Sequence, residues 1–287
     1  MTVLPTPPFD IALIGAGRVG TAVSVLLKQR GHRIVAVSSR TEASAAAAAD
    51  LLSAEAVPPE RLPAADVVLV GVPDHALSAT AELVARTGSQ VAVHFAGSVG
   101  VDPLRAACEA VCALHPVQAC PDVDTAVRRL PGSAWGVTCD EEVRAWAHRL
   151  IETDLEGTAV DVDEDDRARW HSAAVTTSNG IAALMATGEA LLASMGIPSP
   201  EHVLGPIAAG TVANVRELGG GAKALTGPVV RNEAAVIARH LDAISAQAPE
   251  LLAAYRSAVC MIVDAATATG RIDKDDALEM TRLLGRP

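Results

Sequence analysis

Aromatic residues are scarce in this sequence: two phenylalanines, three tryptophans and one tyrosine among 287 residues. A chain of this length buries a sizeable core, so that core must be built from Ala, Val, Leu and Ile. Basic residues are also in deficit, with 23 Lys and Arg against 34 Asp and Glu and a formal net charge of −11. That balance argues against nucleic acid or an anionic membrane as partner, because both require clustered cations. The five cysteines form no CxxC pair and no Cys/His cluster at zinc spacing, so no metal is expected and the thiols read as buried and reduced. The N-terminal stretch MTVLPTPPFD has no basic segment leading into an apolar one, and no run of about 18 apolar residues is apparent. A cytoplasmic location is the expectation.

What the sequence does contain is concentrated in Asp10 to Gly20, DIALIGAGRVG. Ile11 to Ile14 reads as a short buried strand, and Gly15, Gly17 and Gly20 follow in G-x-G-x-x-G spacing. In a nucleotide-binding turn the first glycine permits the tight bend, the second lets backbone approach a pyrophosphate, and the third lets helix close on strand. The helix that follows, Thr21 to Gln29, directs its free N–H groups at that phosphate. Gly15, Ala16, Gly17, Arg18, Val19 and Gly20 are therefore candidate cofactor-binding residues.

Beyond a proline-rich lead-in, Met1 to Phe9, apolar strands alternate with helices. Strands are expected at Ile11–Ile14, Arg33–Val37, Val67–Val72, Gln90–Phe95, Ala110–Leu114, Trp135–Cys139 and Gly157–Val162, with helices at Thr41–Leu52, His75–Arg86 and Glu141–Ile151. Strands apolar on both faces and separated by helices indicate a parallel sheet covered on both sides. The acidic run Asp161 to Asp166 reads as a solvated helix start rather than a metal site. Beyond it the sequence turns helical: Arg167–Met195, Glu201–Leu218, Glu233–Ala246, Pro249–Thr269 and Lys274–Leu284. The expected architecture is an α/β Rossmann-type parallel-sheet domain over residues 1–162, followed by an all-α domain over 163–287.

At the end of the second strand, where an NAD site usually carries an acid for the ribose 2′-hydroxyl, stand Ser38, Ser39 and Arg40. Hydroxyls and a guanidinium suit a 2′-phosphate, so NADP(H) is the expected cofactor. Three more strand ends face the same crevice: Val72-Pro73-Asp74, His94 to Ser98, and His115-Pro116-Val117-Gln118. Val72 and Pro73 would border the nicotinamide ribose, and Ser98 offers a donor to a substrate carbonyl. His94 and His115 suit either packing or the crevice. On the helix near its start, His171, Ser178 and Val175 share one face, with Asn179 on its flank. An imidazole there can donate a proton near neutral pH and an amide can fix a carbonyl; a hydrogen-bonded core or interface histidine is the other reading. Arg231, at a helix start, suits a substrate carboxylate or a surface ion pair equally.

GAGRVG, the VPD and HFAGS turns, LHPVQ, WHSAAVTTSN and LTGPVVR together resemble proteins that join a Rossmann-like domain to a domain of unknown function, DUF2520, within the 6-phosphogluconate dehydrogenase-like superfamily. Ketopantoate reductases and pyrroline-5-carboxylate reductases belong to the same superfamily. The resemblance covers nearly the whole chain and implies an NADPH-dependent reduction of a small 2-oxo acid, with ketopantoate the expected substrate. It also implies a cleft between the two domains as active site and a homodimer made through the helical one. Aligned on Asn179, His171 stands where ordinary ketopantoate reductases carry a catalytic lysine. On this reading His171 protonates the forming alkoxide, Asn179 and Ser98 orient the carbonyl, and Arg231 holds the carboxylate. A cyclic imine reductase and an NADP-binding sensor without chemistry are the alternatives.

Overall fold

The structure, a computed structural model, describes residues 4–285; the first three residues of the expected lead-in lie outside them. By their contacts the residues form two compact units that divide between Thr176 and Thr177. The division falls inside a helix, whereas the expected domain boundary at 162/163 follows the last strand.

The first unit is built on an eight-stranded sheet: β1 Asp10–Ile14, β2 Arg33–Ser38, β3 Glu55–Ala56, β4 Val67–Val70, β5 Val91–His94, β6 Ala110–Pro116, β7 Ala134–Cys139 and β8 Thr158–Asp161. Their order is β3-β2-β1-β4-β5-β6-β7-β8. The helices of this unit are α1 Arg18–Gln29, α2 Glu42–Leu52, α3 Leu77–Thr87, α4 Asp102–Arg105, α5 Val123–Arg129 and α6 Glu141–Arg149. Strands β1 to β6 are parallel to one another, but β7 pairs antiparallel with β6, Pro116 opposite Trp135, and β8 pairs parallel with β7. The sheet is thus parallel through β6 and reversed beyond it. Alternation assigns each strand to two layers: Ile11, Leu13, Val67, Leu69, Val91 and Val93 pack on one side with Leu27, Leu52, Trp146 and Ile151. Ala12, Ile14, Val68, Val70 and Ala92 pack on the other with Leu77, Val84 and Leu104. Burial of each Val or Leu contributes about 1.5–3 kcal/mol, and both faces are apolar because helices cover both.

Three elements of the first unit have no counterpart in the sequence reading: β3, the one-turn helix α4, and α5. Strand β3 is a two-residue, exposed edge pairing beside β2, too short to leave a periodic signal. Helix α5 begins at Asp122, whose carboxylate accepts from the Thr125 backbone N–H at 2.7 Å, a capping signal the pattern of apolar residues alone does not show.

Helix α7, Arg167–Ser194, starts in the first unit and ends in the second. The second unit continues with α8 Pro200–Glu217, α9 Gly221–Ala224, α10 Ala234–Gln247, α11 Leu252–Ala268 and α12 Lys274–Leu283. Its core joins Ile237 and Leu241 of α10, Val259, Val263 and Ala266 of α11, and Met280 of α12. The stretch Pro249–Ala268 is long and apolar enough to cross a membrane by length and composition, although charged residues interrupt it and it is not one apolar run. It carries Arg256 and Asp264 and supplies three residues to this core.

Candidate active site

The turn after β1 is held from both neighbouring strand ends. The Gly15 N–H donates to the Ser38 carbonyl at 2.7 Å, and the Gly71 N–H donates to the Ile14 carbonyl at 2.8 Å. Gly15 has φ +87° and takes a conformation that side chains disfavour. A Cβ at Gly17 would lie 2.5 Å from the Gly71 carbonyl oxygen. The second glycine is therefore required by the neighbouring backbone at the end of β4, not only by the approach of a phosphate. Gly71 is the matching half of this contact and escaped the sequence reading. Gly17 caps α1 without any side-chain hydrogen bond, and the first turn of the helix holds no acid. Its leading N–H groups stay open to an anion.

Gly17, Arg18, Val19 and Gly20 line one end of a cleft of about 550 Å3, and Gly71, Val72, Pro73 and Asp74 continue it. Phe95, Ala96, Gly97, His115, Gln118 and His171 line the remainder. This is the size of a small-molecule or cofactor site. At the end of β2, Ser38 is 1% exposed and supports the turn from beneath, so it does not face a ligand as the sequence reading has it. Ser39 is half-buried and its Oγ accepts from the Ala16 N–H at 3.4 Å, while Arg40 is exposed. The fit to a dinucleotide 2′-phosphate therefore rests on Ser39 and Arg40, with no carboxylate at that strand end.

The three histidines separate cleanly. His94 is fully buried; its Nδ1 accepts from the Ala96 N–H at 3.3 Å and its Nε2 faces the Gly100 carbonyl at 2.8 Å. Nδ1 as acceptor leaves Nε2 as donor, so the ring is neutral and pins the β5 turn. Burial takes it down to about 4. His115 lies at the end of β6 and accepts at Nδ1 from the Trp170 indole N–H, 3.0 Å away. Burial, followed by the Arg167 and His171 charges, takes it to about 4 as well. His171, on the first turns of α7, stands edge-on to His115 with ring centroids 5.4 Å apart.

Both rings press on Gly97, where a Cβ would meet His171 Cδ2 at 2.3 Å and His115 Nε2 at 2.9 Å. Gly136 likewise leaves room for the Trp170 indole, 2.6 Å from a Cβ there. Below them the Arg167 side chain, 1% exposed, donates to the carbonyls of Ala96, Ala113 and Gly136. Burial lowers it to about 10. The acidic run is only in part a solvated helix start: Glu164 Oε2 accepts from the Val101 N–H at 3.2 Å and occupies the space beside Gly100.

The other expected catalytic residues are placed differently. Ser98 donates its hydroxyl to Asp74 Oδ2 at 2.9 Å, which leaves it as an acceptor rather than a donor. Arg231 is paired with Glu233 through two contacts of 3.0 and 2.8 Å, the surface ion pair of the two readings. Asn179 is exposed on α7 in the second unit.

Two neutral histidines, His94 buried and His115 half-buried, have a consequence for stability. In the unfolded chain they take protons below 6.5, in the folded chain only near 4. Unfolding therefore takes up protons as pH falls through this window, and stability drops by on the order of 3 kcal/mol for each ring at full effect. The melting temperature is expected to fall already between pH 6.5 and about 5, above most carboxylate titration; a flat profile there would show that the rings are not held neutral.

Fold and cleft together define a Rossmann-like protein, and residues 3–117 match the Rossmann-like domain model. Residues 133–261 match DUF2520, a domain of unknown function, so the chain carries the two domains in tandem. The DUF2520 match starts at the edge of β7, so it takes in the reversed end of the sheet. No curated protein matches the chain. Among solved structures, a candidate NADP oxidoreductase from Bacteroides fragilis is 27% identical with a TM-score of 0.71, covering 85% of this chain and 93% of that one. A protein from Thermotoga maritima is 20% identical, also with TM-score 0.71, over 90% of this chain and 99% of its own. A pyrroline-5-carboxylate reductase from Streptococcus pyogenes is 16% identical, TM-score 0.55, over 72% and 80%. The last two share the fold.

Proposed function

We propose that the chain is an NADP(H)-dependent oxidoreductase that reduces a small 2-oxo acid, with ketopantoate the first substrate to test. One observation carries the reading: the uncapped start of α1 opens on the same cleft as the facing imidazoles of His115 and His171. An anion site and a proton-handling site thus share one cavity. The name of the Bacteroides fragilis structure, an NADP oxidoreductase, supports the cofactor class.

The N–H groups at the head of α1 hold the pyrophosphate, and Ser39 and Arg40 hold the 2′-phosphate. NADPH supplies a hydride to the carbonyl carbon when bound. His171 gives its proton to the carbonyl oxygen as that oxygen gains charge, so the C=O becomes CH–OH and the imidazole is reprotonated from solvent. Proximity of the two reactants in one cleft supplies much of the acceleration. Loss of NADPH absorbance with ketopantoate, run beside pyrroline-5-carboxylate and NADH, tests this. Turnover with ketopantoate and NADPH supports it; turnover with the imine alone, or NADPH binding with no turnover on any carbonyl or imine, refutes it.

The choice of cofactor has its own test. Arg40→Ala removes the cation at the β2 end and is expected to lower the preference for NADPH over NADH about tenfold, read from kcat/KM with the two cofactors. An unchanged ratio would place the 2′-phosphate elsewhere.

The helical region also supports a homodimer. Of the 46 residues in α7 and α8 only Arg167 is buried, while Ile181, Leu184, Val203, Ile207 and Val212 are exposed. Helices this apolar and this open suit a second copy of the chain. Light scattering at twice the chain mass supports it, and a monomer refutes it.

A further inference from the structure

The two imidazoles of the cleft differ in what fixes them. An indole N–H only donates, so the Trp170 contact requires a lone pair on His115 Nδ1 and places the ring proton on Nε2. A second proton would set N–H against N–H. His115 Nε2 has no hydrogen-bond partner among the described residues, lies 2.9 Å from the Cβ position of Gly97, and belongs to a side chain lining the cleft. His171 has no hydrogen bond at either nitrogen among the described residues, so nothing ties it to one tautomer.

Behind His115 sits a cation without a contacting anion. Arg167 gives its terminal nitrogens to three backbone carbonyls, and its buried Nε has no partner. Glu164 and Asp74 act on it only through space, and Asp74 is also the one charge that favours protonating His115. A guanidinium buried in a medium of low dielectric acts on its surroundings more strongly than one in water. A second cation beside His115 is repelled, whereas an oxygen lone pair or a carboxylate is attracted.

We propose that His115 is a donor of fixed charge in this cleft: its Nε2–H, set by Trp170 as positioning residue, hydrogen-bonds an acceptor oxygen of an anionic oxo acid and disfavours a cationic iminium. The proposal rests on the reductase reading and adds to it the residue that selects an oxo acid over an iminium. The two rings then divide the work. His115 orients and polarises the acceptor oxygen without changing its own charge, as a neutral imidazole can, and His171 moves the proton. Arg231, which is engaged by Glu233, is not the carboxylate anchor expected of it; the buried Arg167 charge behind His115 attracts the carboxylate through space.

Nitrogen NMR of the full chain with isotope-labelled histidine tests this without any turnover. With NADP+ present, His115 is expected to carry its proton on Nε2 and to stay neutral down to about pH 5. Oxalate, an oxo-acid mimic, is expected to move the Nε2 resonance, while pyrrolidine, a cation at neutral pH, leaves it in place. Trp170→Phe keeps an aromatic ring over Gly136 but deletes the N–H. It is expected to mix the two tautomers of His115, raise its titration midpoint by about one unit and weaken oxalate about tenfold. His115→Gln, which retains an N–H near the Nε2 position, is expected to bind oxalate better than His115→Leu.

A native His115 that titrates near 6.5, carries its proton on Nδ1, or leaves pyrrolidine bound as tightly as oxalate overturns the proposal. If Trp170→Phe does not fold, the tautomer and the two probes in the native chain decide. Absence of NADPH oxidation alongside the expected NMR result would sink the reductase reading and leave the fixed donor standing.

Discussion

His171→Ala is expected to lower turnover of the 2-oxo acid by about a hundred- to ten-thousandfold, the range for loss of a general acid, with NADPH affinity unchanged. His171 sits against Gly97 and edge-on to His115, away from the glycine turn that begins α1. The substitution removes a ring from an intermediate surface and leaves no buried polar group behind, so the fold should persist. Steady-state kinetics beside a fluorescence titration of NADPH separate the two effects. Equal turnover in the variant would remove His171 from the mechanism, and a parallel loss of cofactor affinity would make it a binding residue.

Gly17→Ala is the second large effect expected. The backbone at Gly17, φ −73° and ψ 163°, admits any residue, so the obstacle is not conformation. It is the Gly71 carbonyl oxygen, 2.5 Å from the new methyl, a backbone atom rather than the end of a flexible side chain. The turn must move, and with it the first N–H groups of α1. A misplacement on the scale of an ångström typically costs about a hundredfold, and NADPH affinity is expected to fall by that order. Gly180→Ala is the control: nothing lies within 4 Å of its Cβ position, and the change on α7 should leave cofactor binding intact. Unaltered affinity in Gly17→Ala would mean that the pyrophosphate does not lie over this turn.

Much of the fold is legible in the sequence because local patterns and global contacts agree. Val67 to Val70 is apolar at every position, which only a strand buried on both faces sustains, and the glycine spacing marks the first turn by itself. The reversal at β7 is not legible, since Trp135 to Cys139 reads as the same apolar strand in either direction. What decides it is the short α5 segment, which returns the chain to the end of β6 where it left.

The site divides along the same line. His171 and the turn residues 15–20 carry their chemistry in local sequence, and the structure brings His171 and residues 17–20 to one cleft. Arg167 was invisible as a site residue, because an arginine next to four acids looks solvated and only its tertiary contacts bury it. The His115–Trp170 bond, between residues 55 apart in the chain, leaves no trace in either neighbourhood. Ser38 failed for the converse reason: residue type suggested a ligand, but the strand register turned it inward.

Three of the closest approaches in the first unit are made where a residue contributes only hydrogen: Gly71 under the first turn, Gly97 under the two imidazoles, Gly136 under the indole. Their influence on the cleft is negative space, and such space cannot be adjusted by degrees, because the smallest available change is a whole methyl group. Divergence toward other substrates is thereby channelled. Lining positions such as Val72, Gln118 and Cys120 can be exchanged for larger or smaller side chains, whereas the glycines beneath the rings admit no such exchange without moving them.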